Sequence, residues 1–192
     1  MGGAVAYRVS FVVDSPNPDG SAADGSAPDD FDRIRRRVLW RMPTGLYLVG
    51  SAAGGERNLM TANLVMQLCI DPKLVGVVVE AAARTHALIT EGGCFAVSLI
   101  ARDDRAIVRR FVRPARDDPA AHTLNGVAYL DAPVTGAPVL AQAVAYVECR
   151  LERSVALGSH TLFVGEVVGA AFGADPDAEL LRVEDTRMSY GG

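Results

Sequence analysis

Leu74-Val75-Gly76-Val77-Val78-Val79 is an unbroken apolar run of strand-forming residues. It follows directly on Asn58 to Pro72, where apolar residues are interleaved with small polar ones. A continuous run of that length reads as a strand buried on both sides. The preceding stretch sets Thr61, Asn63 and Gln67 among Met60, Leu68 and Ile70. Burying such polar groups costs free energy unless each finds a partner. Either the fold satisfies them internally or a ligand does, and the rest of the chain favours the ligand.

Other segments extend the β pattern. Leu46 to Val49 leads into Ala52-Ala53-Gly54-Gly55, a hairpin-like turn. Cys94 to Ile100 is a further strand. Ala145, Val147, Cys149 and Leu151 alternate with Tyr146, Glu148, Arg150 and Glu152, the period-two pattern of a half-buried strand. Thr161 to Phe172 gives another. Helical signals fall between strands. Thr85 to Glu91 is closed by Gly92-Gly93, and Asp103 is placed to cap a helix carrying Ile107, Val108 and Phe111 on one side. Pro114 to Pro138 reads as loop. Strands outnumber helices without alternating with them, so the expected fold is mainly β: a closed or partly closed antiparallel barrel with peripheral helices.

The chain has 192 residues, enough for one domain with a sizeable core. Asp14 to Asp30 holds only Asp, Ser, Pro, Asn, Gly and Ala, so residues 1–30 are expected as a disordered or loosely ordered acidic segment, and 31–192 as the folded domain. Phe31 to Leu39 has apolar positions at helical spacing and a basic outer face. A net charge of −4 argues against a nucleic-acid partner. No apolar run has the length of a membrane span, and the N-terminus makes a poor signal peptide. Cys69, Cys94 and Cys149 sit in apolar segments and read as reduced core residues, placing the protein in the cytoplasm. No pair has metal-ligand spacing.

Nucleotide-binding glycine loops, His-Glu-x-x-His and the Gly-x-Ser-x-Gly elbow are all missing from the sequence. Two weaker signals remain. Arg84-Thr85-His86 opens a helix, where free amides and the dipole favour an anion, or it is simply a helix start. His160, in the turn Gly158-Ser159-His160, is either a functional turn residue or a surface histidine. Thr61 and Asn63, each taken alone, could merely end a strand.

The order of these features carries more than any one of them. Asn58–Pro72, the buried strand, Arg84-Thr85 with Ile89, Gly92 and Phe95, then Phe111, Cys149, and Gly158-Ser159-His160 with Val164-Gly165-Glu166-Val167 resembles the flavin reductase family of the FMN-binding split-barrel fold. Members of that family look like M-T-A-S … S-D/P-P-P-L-V, S-S-T … I … G-x-F-x-V-N-L, F, E-C, then G-D-H … G-x-V. The likeness covers roughly Val38 to Ala171, and Leu181 to Tyr190 is similar to the tails of some actinobacterial-type members.

The resemblance implies a homodimeric, NAD(P)H-dependent flavin reductase that passes a hydride from nicotinamide C4 to flavin N5. Reduced flavin would feed a separate monooxygenase. Met60, Thr61, Ala62 and Asn63, with Asn58, Gln67, Leu68 and Cys69, would line the flavin ring and ribityl chain. Ala83, Arg84 and Thr85 match the segment that holds the flavin phosphate, and His160 matches the turn histidine near flavin and nicotinamide. The chain departs from the pattern at Asn63 (usually Ser), at Lys73 (usually a second Pro), and at Ser159 (Asp in Gly-Asp-His). The alternatives are a flavin-binding carrier or electron-transfer protein without free reductase activity, and the same fold using FAD or deazaflavin.

Overall fold

The computed structural model describes residues 28–188, in two compact units. The first contains helix α1 (Pro28–Leu39). It begins three residues before the expected Phe31, because Pro28 suits a first helical turn and Asp30 and Asp32 bond Arg33, Arg35 and Arg36 along one side. The apolar residues before it and most of the acidic segment lie outside the described residues.

The second unit, Thr44–Met188, carries the sheets. In chain order these are β1 (Tyr47–Ala53), β2 (Glu56–Ala62), β3 (Val65–Cys69), β4 (Leu74–Glu80), helix α2 (Arg84–Gly92) and β5 (Cys94–Leu99). Then come β6 (Asp117–Asp118), β7 (Thr123–Leu124), β8 (Val127–Asp131), β9 (Pro138–Leu140), β10 (Ala145–Leu157) and β11 (His160–Phe172). One antiparallel sheet runs β2-β1-β5-β10-β11-β4-β3, and a smaller one runs β6-β7-β8-β9.

That order compels a barrel. The sheet's two edge strands, β2 and β3, are joined by only Asn63 and Leu64. In a flat sheet they would stand six strand spacings apart, about 29 Å. The three Cα–Cα steps from Ala62 to Val65 reach about 11 Å. The sheet must curl until its edges meet, and since β2 and β3 share no ladder the barrel stays split there.

Inside the curl, Val49, Ala62, Val77, Val79, Phe95, Val97, Cys149 and Phe163 from six strands pack with Ile89 of α2. Burial pushes the Cys149 thiol up to about 12, and the Glu148 charge beside it adds to the rise. The β1–β2 hairpin closes on Gly54 and Gly55, both at positive φ (57° and 86°), as a two-residue turn matched to strand twist demands. No helix among the described residues is long and apolar enough to cross a membrane.

Several sequence expectations change. Residues 102–111 form two short 3-10 turns, Arg102–Asp104 and Ile107–Phe111, rather than one capped helix. Ile107, Val108 and Phe111 are buried as expected, but the Val108 carbonyl that an α-helix would use internally is taken by the Thr61 hydroxyl. Pro114 to Pro138 is not all loop, since it contains β6, β7 and β8. Glu148, expected on the polar face, is 1% exposed. A bulge after it breaks the alternation, and its Oε2 accepts from the amides of Val134 and Thr135 and from the Thr135 hydroxyl. Cys69 is half-exposed on an edge strand rather than in the core.

Candidate flavin site

Strand β2 sets the first wall. Asn58 is 2% exposed, and both ends of its amide are engaged. Nδ2 donates to Thr85 Oγ1 at 2.8 Å, and Oδ1 accepts from the Ala115 amide at 2.7 Å. The Thr61 hydroxyl donates to the Val108 carbonyl at 2.6 Å. The sequence left the fold or a ligand as partner for these groups. For the Asn58 and Thr61 side chains it is the fold. Met60 packs against the barrel core, Ala62 belongs to it, and Asn63 is half-buried in the link to β3.

Strand β3 continues from that link. Gln67 and Leu68 are exposed, the Gln67 amide donates to the Cys69 carbonyl at 3.3 Å, and the Cys69 thiol donates to the Asp71 carbonyl. The ladder sets Gln67 opposite Val75 and Cys69 opposite Leu74. Those partners lie five and six residues from Glu80, about 17–20 Å along β4.

The start of α2 is the second wall. Ala83 is its N-cap, in extended conformation and with no side-chain cap. The His86 amide donates to the Ala83 carbonyl at 3.0 Å, while the amides of Arg84 and Thr85 meet no acceptor among the described residues. Free first-turn amides and the positive end of the helix dipole are the chemistry an anion requires. Arg84 stands beside them, its guanidinium donating to Glu56 Oε2 at 3.0 Å and to the Ala115 carbonyl at 3.2 Å.

The β10–β11 turn closes the same end of the barrel. Gly158 takes positive φ (68°), and His160 pairs with Leu157 across the hairpin and with Glu80 on β4. The Ala81 amide donates to the Ser159 carbonyl at 2.9 Å, tying this turn to the segment that enters α2. Ser159 stands where the family pattern has Asp, yet its Oγ lies 2.9 Å from His160 Nδ1 and still orients the ring, leaving Nε2.

Asn58, Ala83, Arg84, Thr85 and His160 therefore converge on one end of the barrel, while Gln67, Leu68 and Cys69 stand apart along β3. Two participants escaped the sequence reading. Glu56 and the main chain of Ala115 hold Arg84, and no local pattern marks either. His86 reaches across to Thr161, Nε2 to Oγ1 at 2.9 Å, with its ring edge-on to Phe163 at 5.0 Å. Two concavities lie elsewhere, one of about 320 Å³ along Leu46, Ile100 and Leu181 and one of about 400 Å³ beside Asp104, Arg110 and Gln142, and neither includes a sequence-expected site residue.

Residues 39–190 match the family model for the flavin reductase like domain. This chain belongs to the flavin reductase family. It is 35% identical over 143 residues to the NADH-dependent FAD reductase of Streptomyces globisporus, covering 74% of this chain and 78% of that one. It is 30% identical over 141 residues to the reductase component of the 4-nitrophenol 4-monooxygenase/4-nitrocatechol 2-monooxygenase of Rhodococcus opacus, covering 72% and 71%. Among solved structures, the Streptomyces globisporus NADH:FAD oxidoreductase in complex with NAD and FAD fragments superposes with a TM-score of 0.68 at 31% identity, over 83% of this chain and 92% of that one. The mainly β split barrel expected from the sequence is the fold of these relatives.

Proposed function

We propose that this flavin reductase binds FMN at the end of the barrel where β2, α2 and the β10–β11 turn meet, and reduces it with NADH or NADPH. It acts in the cytoplasm as a homodimer and passes reduced flavin to a monooxygenase component. One observation carries the placement. Asn58 and the Ser159 carbonyl draw Thr85 and Ala81 together, so that free first-turn amides, Arg84 and His160 share one corner. The free amides of Arg84 and Thr85, with the Arg84 guanidinium, suit the flavin phosphate.

Bound flavin supplies the two-electron acceptor for a hydride from the nicotinamide ring, so the protein needs no acid–base dyad for that step. The chain's own part is positional. Asn58 fixes Thr85 and Ala115, Met60 and Asn63 present the β2–β3 link to the ring, and His160 offers Nε2 at the open side. A monooxygenase partner is supported by the reductase-component relative, and a dimer by the exposed apolar residues of β3.

The test is direct. The purified protein is scanned in the visible range and assayed for NADH and NADPH oxidation with added FMN or FAD. Turnover is expected. A yellow protein that oxidises neither nucleotide would make it a carrier, and failure to take up any flavin would overturn both readings. The double variant Arg84→Ala/Thr85→Ala is expected to weaken FMN binding roughly tenfold, from loss of charge-assisted contacts to phosphate. Unchanged affinity would move the phosphate elsewhere.

A further inference from the structure

The corner at the start of α2 also holds a loop from elsewhere in the chain. Both main-chain groups of Ala115 are taken there, the amide by Asn58 and the carbonyl by Arg84. Ala115 is 3% exposed, whereas Arg113 and Arg116 on either side of it are exposed. Neither arginine's side chain has an ion-pair or hydrogen-bond partner among the described residues.

A second clamp holds the loop from its other side. Asn125, at φ 52° in the Asn125-Gly126 turn between β7 and β8, accepts the Arg116 amide on Oδ1 at 2.9 Å. Its own amide donates to the Arg116 carbonyl at 2.9 Å, and its Nδ2 donates to the Arg110 carbonyl at 2.7 Å. The backbone of Ala115 and Arg116 is thus fixed before any ligand arrives, with Arg113 two residues before it, which lowers the ordering cost of binding. The two carboxylates that follow have other engagements. Asp118 accepts the Ala121 amide, while Asp117 turns its Oδ1 inward, where it is buried without a hydrogen-bond partner, and its charge acts on Arg57 and Tyr129.

We propose that Arg113 and Arg116 form a second phosphate subsite, beside the start of α2, that takes the adenylate-side phosphate of a dinucleotide. The proposal rests on the reading that the flavin phosphate lies at Arg84 and Thr85. One phosphate there completes a mononucleotide. In FAD the next phosphate is joined through a single bridging oxygen, so it lies within a few ångströms of the first, and the Ala115 loop borders that corner through its carbonyl bond to Arg84. Guanidinium forks match phosphate oxygens two at a time, which suits free arginines on a fixed loop. The dinucleotide is FAD, because only its second phosphate is joined to the flavin phosphate; service to the nicotinamide coenzyme is an outcome that would overturn this.

The double variant Arg113→Ala/Arg116→Ala is compared with wild type and with Arg105→Ala/Arg150→Ala, which removes two exposed arginines outside this corner. Dissociation constants for FAD and FMN are measured by calorimetry without nicotinamide, and the KM for NADH is measured with FMN as acceptor. If the subsite serves FAD, FAD affinity falls roughly tenfold while FMN affinity stays within about twofold. A KM for NADH that rises roughly tenfold while the FAD-to-FMN ratio is unchanged would overturn the FAD subsite and give the two arginines to the coenzyme. Arg113→Lys/Arg116→Lys is expected to recover part of the FAD loss. Equal losses for FAD and FMN, no change in any of the three values, or the same changes in the control would overturn the subsite. Failure of the underlying reading looks different: Arg84→Ala/Thr85→Ala would leave FMN affinity untouched.

Discussion

Asn58 is the residue on which the candidate site turns, and both ends of its side-chain amide are held by the fold. Its amide joins β2 to the first turn of α2 and to the loop at Ala115. Asn58→Ala would leave the Ala115 amide without its acceptor and the Thr85 hydroxyl without its donor, in a buried place. The expected cost is about 2 kcal/mol, seen as a melting temperature roughly 4–8 °C lower for a domain of this size. Flavin affinity should fall with it. A variant that melts normally but binds flavin poorly would mean that the side chain meets the ligand directly. Asn58 and Thr61 also show the limit of reading single residues. Their burial was legible from the apolar residues around them, but their partners lie 27 to 57 residues away in sequence, from Thr85 at the near end to Ala115 at the far end, both on Asn58.

At the scale of elements, helix α2 shows how position follows from small residues. It ends in Gly92-Gly93, a stop signal plain in the sequence, and Gly93 caps it at φ 63° with its amide on the Ile89 carbonyl. The two glycines do different things. A Cβ on Gly93 would meet nothing within 4 Å, so Gly93→Ala carries only the left-handed penalty of about 1 kcal/mol. A Cβ on Gly92 would stand 2.1 Å from the Ala52 carbonyl oxygen of β1, where backbone must move. Gly92→Ala should cost about 2–3 kcal/mol and shift the start of α2, so chemical denaturation should rank it below Gly93→Ala, with flavin affinity reduced only in Gly92→Ala. Equal stabilities would mean that α2 does not bear on β1. The strands, this helix and its end were readable because periodicity and glycine punctuation are local. The 3-10 turns at 102–111 and the burial of Glu148 were not, because one depends on a hydroxyl from β2 and the other on a bulge in β10.

At the scale of the molecule, the sheet leaves an apolar face uncovered. Leu64, Met66, Leu68 and Ile70 alternate along and beside edge strand β3 and are exposed at 46%, 65%, 41% and 79%. Val78 and Leu162 pair across β4 and β11, and Leu162 in turn pairs with Val155 of β10. An exposed apolar edge strand invites pairing or cover. With a second copy as the cover, light scattering should give a dimer mass for the wild-type protein, and Met66→Lys/Ile70→Lys should give a monomer with weakened flavin binding. A wild-type monomer would remove the dimer from the proposed function.

The sequence alone determined that this chain would be a β-rich barrel of the flavin reductase kind. Alternation, apolar runs and turn residues are properties of neighbours along the chain, and the ordered motifs from Asn58 to Val167 record them. Only the tertiary structure decided which polar groups remain for a ligand. Closing the sheet through Asn63 and Leu64 gave Asn58 and Thr61 partners of their own, and brought Ala115, Glu56 and Ser159 to the start of α2. Pairings of that kind depend on how the curled sheet returns on itself, and no spacing in the sequence encodes the distance across it.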